Sequence, residues 1–271
     1  MPELPEVETT CKGIAPEIID QRILQIDVRH PMLRRPVPKE LNKVCAGQNI
    51  CSVTRRGKYI LIHLENGTLI IHLGMSGHLR IVPSAIPAEK HDHIDLLLAS
   101  NHILRYTDPR RFGLWEYCSA NALEHPLLSS LGPEPLESAF DGRYLWELSR
   151  KYRVAVKNFI MNNKIVVGVG NIYANESLFE AGIHPGRPAT SLSEQECHQL
   201  CTAIKQVLQK AIKAGGTTLK DFLNPNGKPG YFRQTLKVYG QTHKPCQQCQ
   251  SLIQSLIIGG RNTFFCLDCQ I

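Results

Sequence analysis

The sequence predicts an α+β chain of several domains: a β-sandwich first, a helical domain after it, and a small metal-stapled hairpin at the end. Three observations carry this. Between Asn49 and Tyr117, short β-branched runs alternate with tight-turn signals. From Gly142 onward the apolar residues recur with helical spacing. The last stretch holds two Cys-x-x-Cys pairs, Cys246/Cys249 and Cys266/Cys269.

Taken in order, Thr9–Gln21 is expected to be a first helix and Ile23–Val28 a first strand. Ser52–Thr54 leads into Arg55-Arg56-Gly57-Lys58, followed by the strand Tyr59–Leu64. Asn66-Gly67 predicts a type I′ hairpin turn, with Leu69–Leu73 returning. Further strands are expected at His93–Leu98, Ile103–Thr107 and Gly113–Tyr117, with proline-bearing loops at Val82-Pro83 and Ile86-Pro87. Leu131–Leu136 reads as a linker. Helices are expected at Gly142–Tyr152, Arg153–Met161, Asn171–Ala181 and Glu194–Ala214. The last has a capping box, Ser193-x-x-Glu196, an apolar stripe from Cys197 to Ile212, and a stop at Gly215-Gly216. With Gly182–Pro188 between them, the last two helices read as helix, two turns, helix. Thr217–Arg233 is too irregular for an element and long for a connector, as functional or mobile loops are. The expected domains are 2–131, 132–236 and 237–271.

A length of 271 residues allows two domains, or one plus an appendage, and 42% hydrophobic residues allow a sizeable core. A net charge of +7 and a pI near 8.9 favour a polyanionic partner, although many soluble proteins share them. No apolar run reaches the ~18 residues of a membrane span, and the acidic, proline-bearing start is unlike a secretory signal. Ten cysteines without such a signal point to a reducing cytosol and against a disulfide scaffold.

The four terminal cysteines form two metal-biting turns, enough for one closed, tetrahedral structural zinc site. Between them, Leu252–Ile258 and Arg261–Phe265 flank Gly259-Gly260, which makes a zinc ribbon. Arg261 sits just past the turn, placed either to reach a phosphate or as a solvated hairpin charge. At the other end the chain starts Met1-Pro2-Glu3-Leu4-Pro5-Glu6. Removal of Met1 would leave Pro2 with a secondary amine. An α-amino group titrates near ~8, so much of it is nucleophilic at neutral pH. Attack on a sugar C1′ gives an iminium, an electron sink, and Glu3 and Glu6 are nearby acid/base partners. Proline and glutamate are also common at flexible starts. Gly168–Glu176 opens a helix with exposed amides suited to phosphate.

These motifs together resemble the formamidopyrimidine-DNA glycosylase family over the whole chain. The resemblance rests on Pro2–Glu6, Lys58 in Arg55–Tyr59, His72–Gly77, Asp108–Gly113, Gly170–Tyr173 and the four cysteines, in that order. It implies a β-sandwich flanked by helices, a helix-two-turn-helix domain and a zinc ribbon. It also implies a bifunctional glycosylase and AP lyase that excises oxidised purines, 8-oxoguanine and formamidopyrimidines, from duplex DNA. Pro2 would attack C1′, Glu3 would protonate the opening sugar, and Glu6 would assist positioning and proton transfer. Lys58 would serve β-elimination and Arg261 δ-elimination. His72 and Asn171 would hold phosphate, His91 would be a further DNA contact, and Met75, Arg110 and Phe112 would fill the gap left by the flipped base. Without the resemblance, buried core roles are the simpler reading of His72, His91, Met75 and Phe112. One zinc per chain, no other cofactor, damaged double-stranded DNA as partner, a monomer and a nucleoid-associated cytoplasmic location complete the expectation.

Three departures stand out. Gln250 follows a zinc cysteine where glycine is common, Tyr152 interrupts Arg150-Lys151-x-Arg153, and Cys11-Lys12 stands where more basic residues are usual. The rival readings are an endonuclease VIII-like glycosylase for oxidised pyrimidines and a zinc-ribbon DNA-binding protein without catalysis. Met75, Arg110, Phe112 and the 217–233 loop argue against the first; Pro2, Glu3 and Lys58 argue against the second.

Overall fold

The computed structural model describes residues 2–216 and 236–271. The loop expected at Thr217–Arg233 lies outside the described residues. What is described divides into two compact units, one of residues 2–129 and 214–216, the other of 130–213 and 236–271.

The first unit opens with helix α1 (Leu4–Ile18), which starts five residues before the expected Thr9 and stops three before Gln21. The early start has a local cause. Glu3 is the N-cap, and its side chain accepts from the Glu6 N–H while the Glu6 carboxylate accepts from the Glu3 N–H at 2.8 Å. This is a capping box made by two glutamates, and Pro5 costs nothing in a first turn whose N–H groups have no helical partner. Leu4, Val7, Cys11, Ile14 and Ile18 form the buried stripe. Asp20, at φ +63, turns the chain away from the helix.

Two four-stranded antiparallel sheets follow, as expected for a sandwich. One has the order β1 (Ile23–Val28), β6 (Asp92–Leu98), β7 (His102–Thr107), β5 (His78–Pro83); the other has β2 (Ile50–Arg56), β3 (Tyr59–Leu64), β4 (Gly67–His72), β8 (Leu114–Cys118). A short helix α2 (Leu41–Cys45), not foreseen, precedes β2. Ile60, Ile62, Leu69, Ile71 and Trp115 of one sheet share a single buried cluster with Ile94, Leu96, Leu104 and Tyr106 of the other, and with Ile14 and Ile18 of α1. The β3–β4 hairpin forms, but its turn is not type I′: Gly67 takes φ +106 and Asn66 does not take a positive φ. A Cβ at residue 67 would lie 2.6 Å from the Cys118 carbonyl, so glycine is needed there for the close approach of β8.

The second unit holds helices α3 (Gly142–Ser149), α4 (Val156–Ile160), α5 (Asn171–Glu180) and α6 (Glu194–Lys213), with the hairpin β9 (Gln254–Ile258) and β10 (Arg261–Phe265). The expected capping box of α6 is present: Ser193 N–H donates to Glu196 at 2.7 Å and Glu196 N–H to the Ser193 hydroxyl at 3.2 Å. Its stripe from Cys197 to Ala211 is buried. Helix α5 is buried from Ile172 to Phe179, on every side. It therefore carries no amphipathic signal, and its glycine–asparagine start was the better guide. Gly259 and Gly260 both take positive φ, as a type I′ turn requires. No helix among the described residues is long and apolar enough to cross a membrane.

Candidate active site and zinc finger

Pro2, Glu3 and Glu6 are buried together at the start of α1. The reciprocal cap fixes both carboxylates relative to the backbone of Glu3, and hence to the nitrogen of the residue before it. Gly216, at φ +82, approaches the same place: a Cβ there would stand 3.0 Å from Glu6 Oε1. The sequence marks this glycine only as a helix stop.

Lys58 sits half-buried in the β2–β3 turn, after Gly57 at φ +58. Arg55 braces the turn, with Nη1 donating to the Gly57 carbonyl and Nε to Glu8, both at 2.9 Å. His72 closes β4 beside it. Tyr59 pairs with His72 across the strands, their rings edge-to-face at 4.9 Å. The Gly74 N–H donates to His72 Nδ1 at 2.9 Å, so Nε2 carries the proton. Burial, then the positive charges of Lys58 and Arg34, push the His72 pKa down to about 4. His72 is a neutral, single-donor imidazole at physiological pH.

Met75 and Phe112, 38% and 45% exposed, are apolar side chains left in solvent at adjoining turns. A Cβ on Gly74 would lie 2.4 Å from the Phe112 carbonyl carbon, so the two turns touch backbone to backbone. The Arg110 guanidinium lies 4.9 Å from the centre of the Phe112 ring. His91, half-buried, precedes β6, and its carbonyl accepts from the Asp108 N–H at 3.0 Å.

In the second unit, Asn171 begins α5 and its Nδ2 donates to the Asn262 carbonyl at 3.0 Å. Lys157, fully buried, donates to the same carbonyl at 3.1 Å and to the Thr263 hydroxyl at 2.7 Å. These bonds anchor the strand that begins at Arg261. The carboxylate of Glu176, buried in α5, accepts the N–H groups of Lys237, Val238 and Tyr239 at 2.8–3.0 Å. Burial raises its pKa and the three donors oppose the rise.

The four terminal sulfurs lie within 4.8 Å of one another, Cys246 to Cys269 at 3.8 Å and Cys249 to Cys266 at 3.4 Å. Zn–S bonds of about 2.3 Å in a tetrahedron need S–S edges of roughly 3.8 Å. The Gln248 N–H points at Cys246 Sγ, 3.4 Å away, as suits a thiolate ligand. The donor set fits one structural zinc ion.

Three sequence profiles match along the chain. They are the formamidopyrimidine-DNA glycosylase N-terminal domain over residues 1–115, the H2TH domain of the same enzymes over 131–223, and a zinc finger found in FPG and IleRS over 244–271. The formamidopyrimidine-DNA glycosylase of Hydrogenovibrio crunogenus is 56% identical over 270 residues, covering 100% of this chain and 96% of its own. This chain belongs to the formamidopyrimidine-DNA glycosylase family. Another such glycosylase, from Photobacterium profundum, is 54% identical with 100% of both chains covered. The crystal structure of MutM (Fpg) from Thermus thermophilus superposes with a TM-score of 0.89 at 36% identity, covering 99% of this chain and 98% of that one. Lactococcus lactis Fpg in complex with abasic-site DNA gives 0.92 at 37% identity, with 99% of both chains covered. The same protein with Fapy-dG-containing DNA gives 0.91, again at 37% with 99% of both chains covered.

As a member of this glycosylase family, the chain gathers most of its expected residues in five groups. Pro2, Glu3 and Glu6 cluster at α1; Lys58 and His72 neighbour each other; Met75, Arg110 and Phe112 form one exposed group. Asn171 and Arg261 share the α5–β10 junction, and the cysteines share the finger. The departures have plain structural roles. Cys11 is a core residue whose thiol burial pushes up to about 12, and Lys12 pairs with Glu8 at 3.3 Å. Tyr152 packs on Phe159. Gln250 takes φ +69, the conformation that makes glycine common there. Sequence reasoning passed over Lys157, Glu176, Gly216 and Asp108. Each has at least one partner remote in sequence, which no local pattern displays: Asn262 and Thr263 for Lys157, residues 237–239 for Glu176, Glu6 for Gly216 and Ser76 for Asp108.

Proposed function

We propose that this chain is a bifunctional DNA glycosylase and AP lyase acting on oxidised purines, 8-oxoguanine and formamidopyrimidines, in duplex DNA. The observation that supports the reading is the double-glutamate cap, which fixes the Glu3 and Glu6 carboxyl groups at the helix start that Pro2 directly precedes. The lesion nucleotide is flipped out, because C1′ is unreachable inside the stack. After loss of Met1, the Pro2 amine attacks C1′, the N-glycosidic bond breaks and the base leaves. Glu3 gives a proton to the ring oxygen as the sugar opens to a Pro2 iminium, and Glu6 positions Glu3 and the amine. The iminium acidifies C2′, so the 3′-phosphate leaves by β-elimination, for which Lys58 supplies a proton. The 5′-phosphate then leaves by δ-elimination, served by Arg261. His72 and Asn171 hold the backbone and His91 makes a further contact.

Met75, Arg110 and Phe112 enter the vacated stack. The guanidinium offers only donors. Orphaned cytosine presents two adjacent acceptors, O2 and N3, whereas adenine presents an amino donor beside N1. A good bidentate contact discriminates by ~1–3 kcal/mol, so excision opposite cytosine should exceed excision opposite adenine by roughly ten-fold. The functional domains are 2–131, 132–236 and 237–271, and the protein acts as a monomer on nucleoid DNA in the cytoplasm.

Borohydride trapping tests the core of this reading. The adduct on damaged DNA should map to Pro2, and an N-terminal tag that keeps the amine blocked should abolish it. Glu3→Gln should lose base excision yet keep lyase action on a preformed abasic site, where no base has to leave. An adduct mapped to a lysine would refute the nucleophile.

A further inference from the structure

The buried carboxylate of Asp108 is the meeting point of the two turns that carry Met75, Arg110 and Phe112. It has no solvent exposure. Oδ1 accepts from the Ser76 hydroxyl at 2.6 Å and from the Arg110 N–H at 3.3 Å. Oδ2 accepts from the Tyr106 hydroxyl at 2.9 Å and the Gly113 N–H at 2.8 Å. The Arg110 N–H also reaches Ser76 Oγ, at 3.2 Å. The residue's own carbonyl is held too: His93 Nε2–H donates to it at 2.8 Å and the Arg111 N–H at 3.2 Å. Arg111 takes φ +57, so the turn between Arg110 and Phe112 is one that needs external fixing. Ser76 follows Met75 directly, and Gly113 follows Phe112. One carboxylate therefore ties together the backbones on which all three exposed side chains stand.

We propose that Asp108 is a positioning residue for opposite-base discrimination: by bonding Ser76, Arg110 and Gly113 at once, it makes Met75, Arg110 and Phe112 a single rigid reader. The inference rests on the reading of those three side chains as the gap-filling set. A bidentate contact needs the guanidinium held in one place, and a loose turn would let it meet either orphaned base through one donor or through water. The chemistry of substitution is specific. In Asp108→Asn one oxygen becomes an amino group. Ser76 and Tyr106 hydroxyls can reverse and accept from it, but the N–H groups of Arg110 and Gly113 cannot. One turn loses its anchor while the volume stays the same.

The test is single-turnover excision of 8-oxoguanine opposite cytosine and opposite adenine, by the zinc-loaded full chain. Wild type, Asp108→Asn, Ser76→Ala and Arg110→Ala are compared, with thermal melts to show folding. A merely structural defect lowers the active fraction and scales both rates alike, leaving their ratio untouched. The inference expects the ratio to fall from roughly ten-fold to about two-fold or less in all three variants. If Arg110→Ala flattens the ratio while Asp108→Asn and Ser76→Ala keep it, the positioning inference is wrong and the reading of Arg110 stands. If Arg110→Ala itself keeps the ratio, that reading fails and takes the inference with it. Should Asp108→Asn not fold, Ser76→Ala decides alone, since it leaves the other three bonds to the carboxylate in place.

Discussion

Replacing His72 with glutamine should make the protein less sensitive to mild acid. Burial first, and then Lys58 and Arg34, lower the His72 pKa from 6.5 to about 4. The unfolded chain takes up a proton near 6.5 and the folded chain resists until about 4, so between these values the unfolded state binds more protons. Stability then falls as pH falls, with no contribution above 6.5 and the full loss below 4. At ~1.4 kcal/mol per pKa unit, the loss due to His72 is about 2 kcal/mol by pH 5 and roughly 3 at its limit, to order of magnitude. Glutamine offers an amide donor near the Nε2 position and does not titrate. The measurement is denaturant unfolding of the N-terminal unit at pH 7 and pH 5 for both proteins. His63, His78 and His93 also have lowered pKa values, but they are common to both and cancel in the difference. So does any acid loss of zinc. An equal pH 7-to-5 loss in wild type and variant would show that His72 is protonated like an exposed imidazole, and that its neutral tautomer is misassigned.

Salt dependence should separate the cations from that neutral donor. Lys58→Ala and Arg261→Ala should each reduce the slope of log K against log salt by about 0.9, whereas His72→Gln should weaken binding and leave the slope unchanged; equal slopes for all three would rule out backbone neutralisation by Lys58 and Arg261. In the finger, elemental analysis should give one zinc per chain, Cys249→Ser should lose zinc and weaken DNA binding, and Gln250→Gly should slow zinc release to a chelator by relieving about 1 kcal/mol of left-handed backbone strain. Faster release from Gln250→Gly would mean that the glutamine side chain stabilises the knuckle.

Most of the fold is legible because its signals are local. The capping box of α6, its apolar stripe and the Gly259-Gly260 turn each lie within one element, and the structure repeats them. The errors are local signals of two kinds in competition. The helix starts at Leu4 rather than Thr9, with Pro5 inside its first turn. Proline breaks a helix only where its missing N–H would have been bonded, and in the first turn it would not. Asn66-Gly67 looks like a type I′ turn, but Gly67 is needed for the pairing of β4 with β8, where a Cβ would lie 2.6 Å from the Cys118 carbonyl.

The site is legible to a different depth. Residues that meet DNA or metal keep their chemistry in their own side chains, so the motifs that hold them can be read one at a time. Asp108 does not work that way. Within its own motif, Asp108–Gly113, it explains two bonds, to the N–H groups at 110 and 113. A third comes from Tyr106, two residues before it, and the fourth from Ser76, thirty-two residues away, which only the sandwich brings near. A sequence shows Asp108 as a turn residue and Ser76 as a spacer between Met75 and Gly77. The fold makes them one hydrogen-bonded unit, because β4 and β8 are paired and each runs directly into or out of one of the two turns. Discrimination between opposite bases then depends on a carboxylate that touches no base. That dependence is why the ratio of two rates, rather than either rate, is the quantity in which Asp108 should be visible.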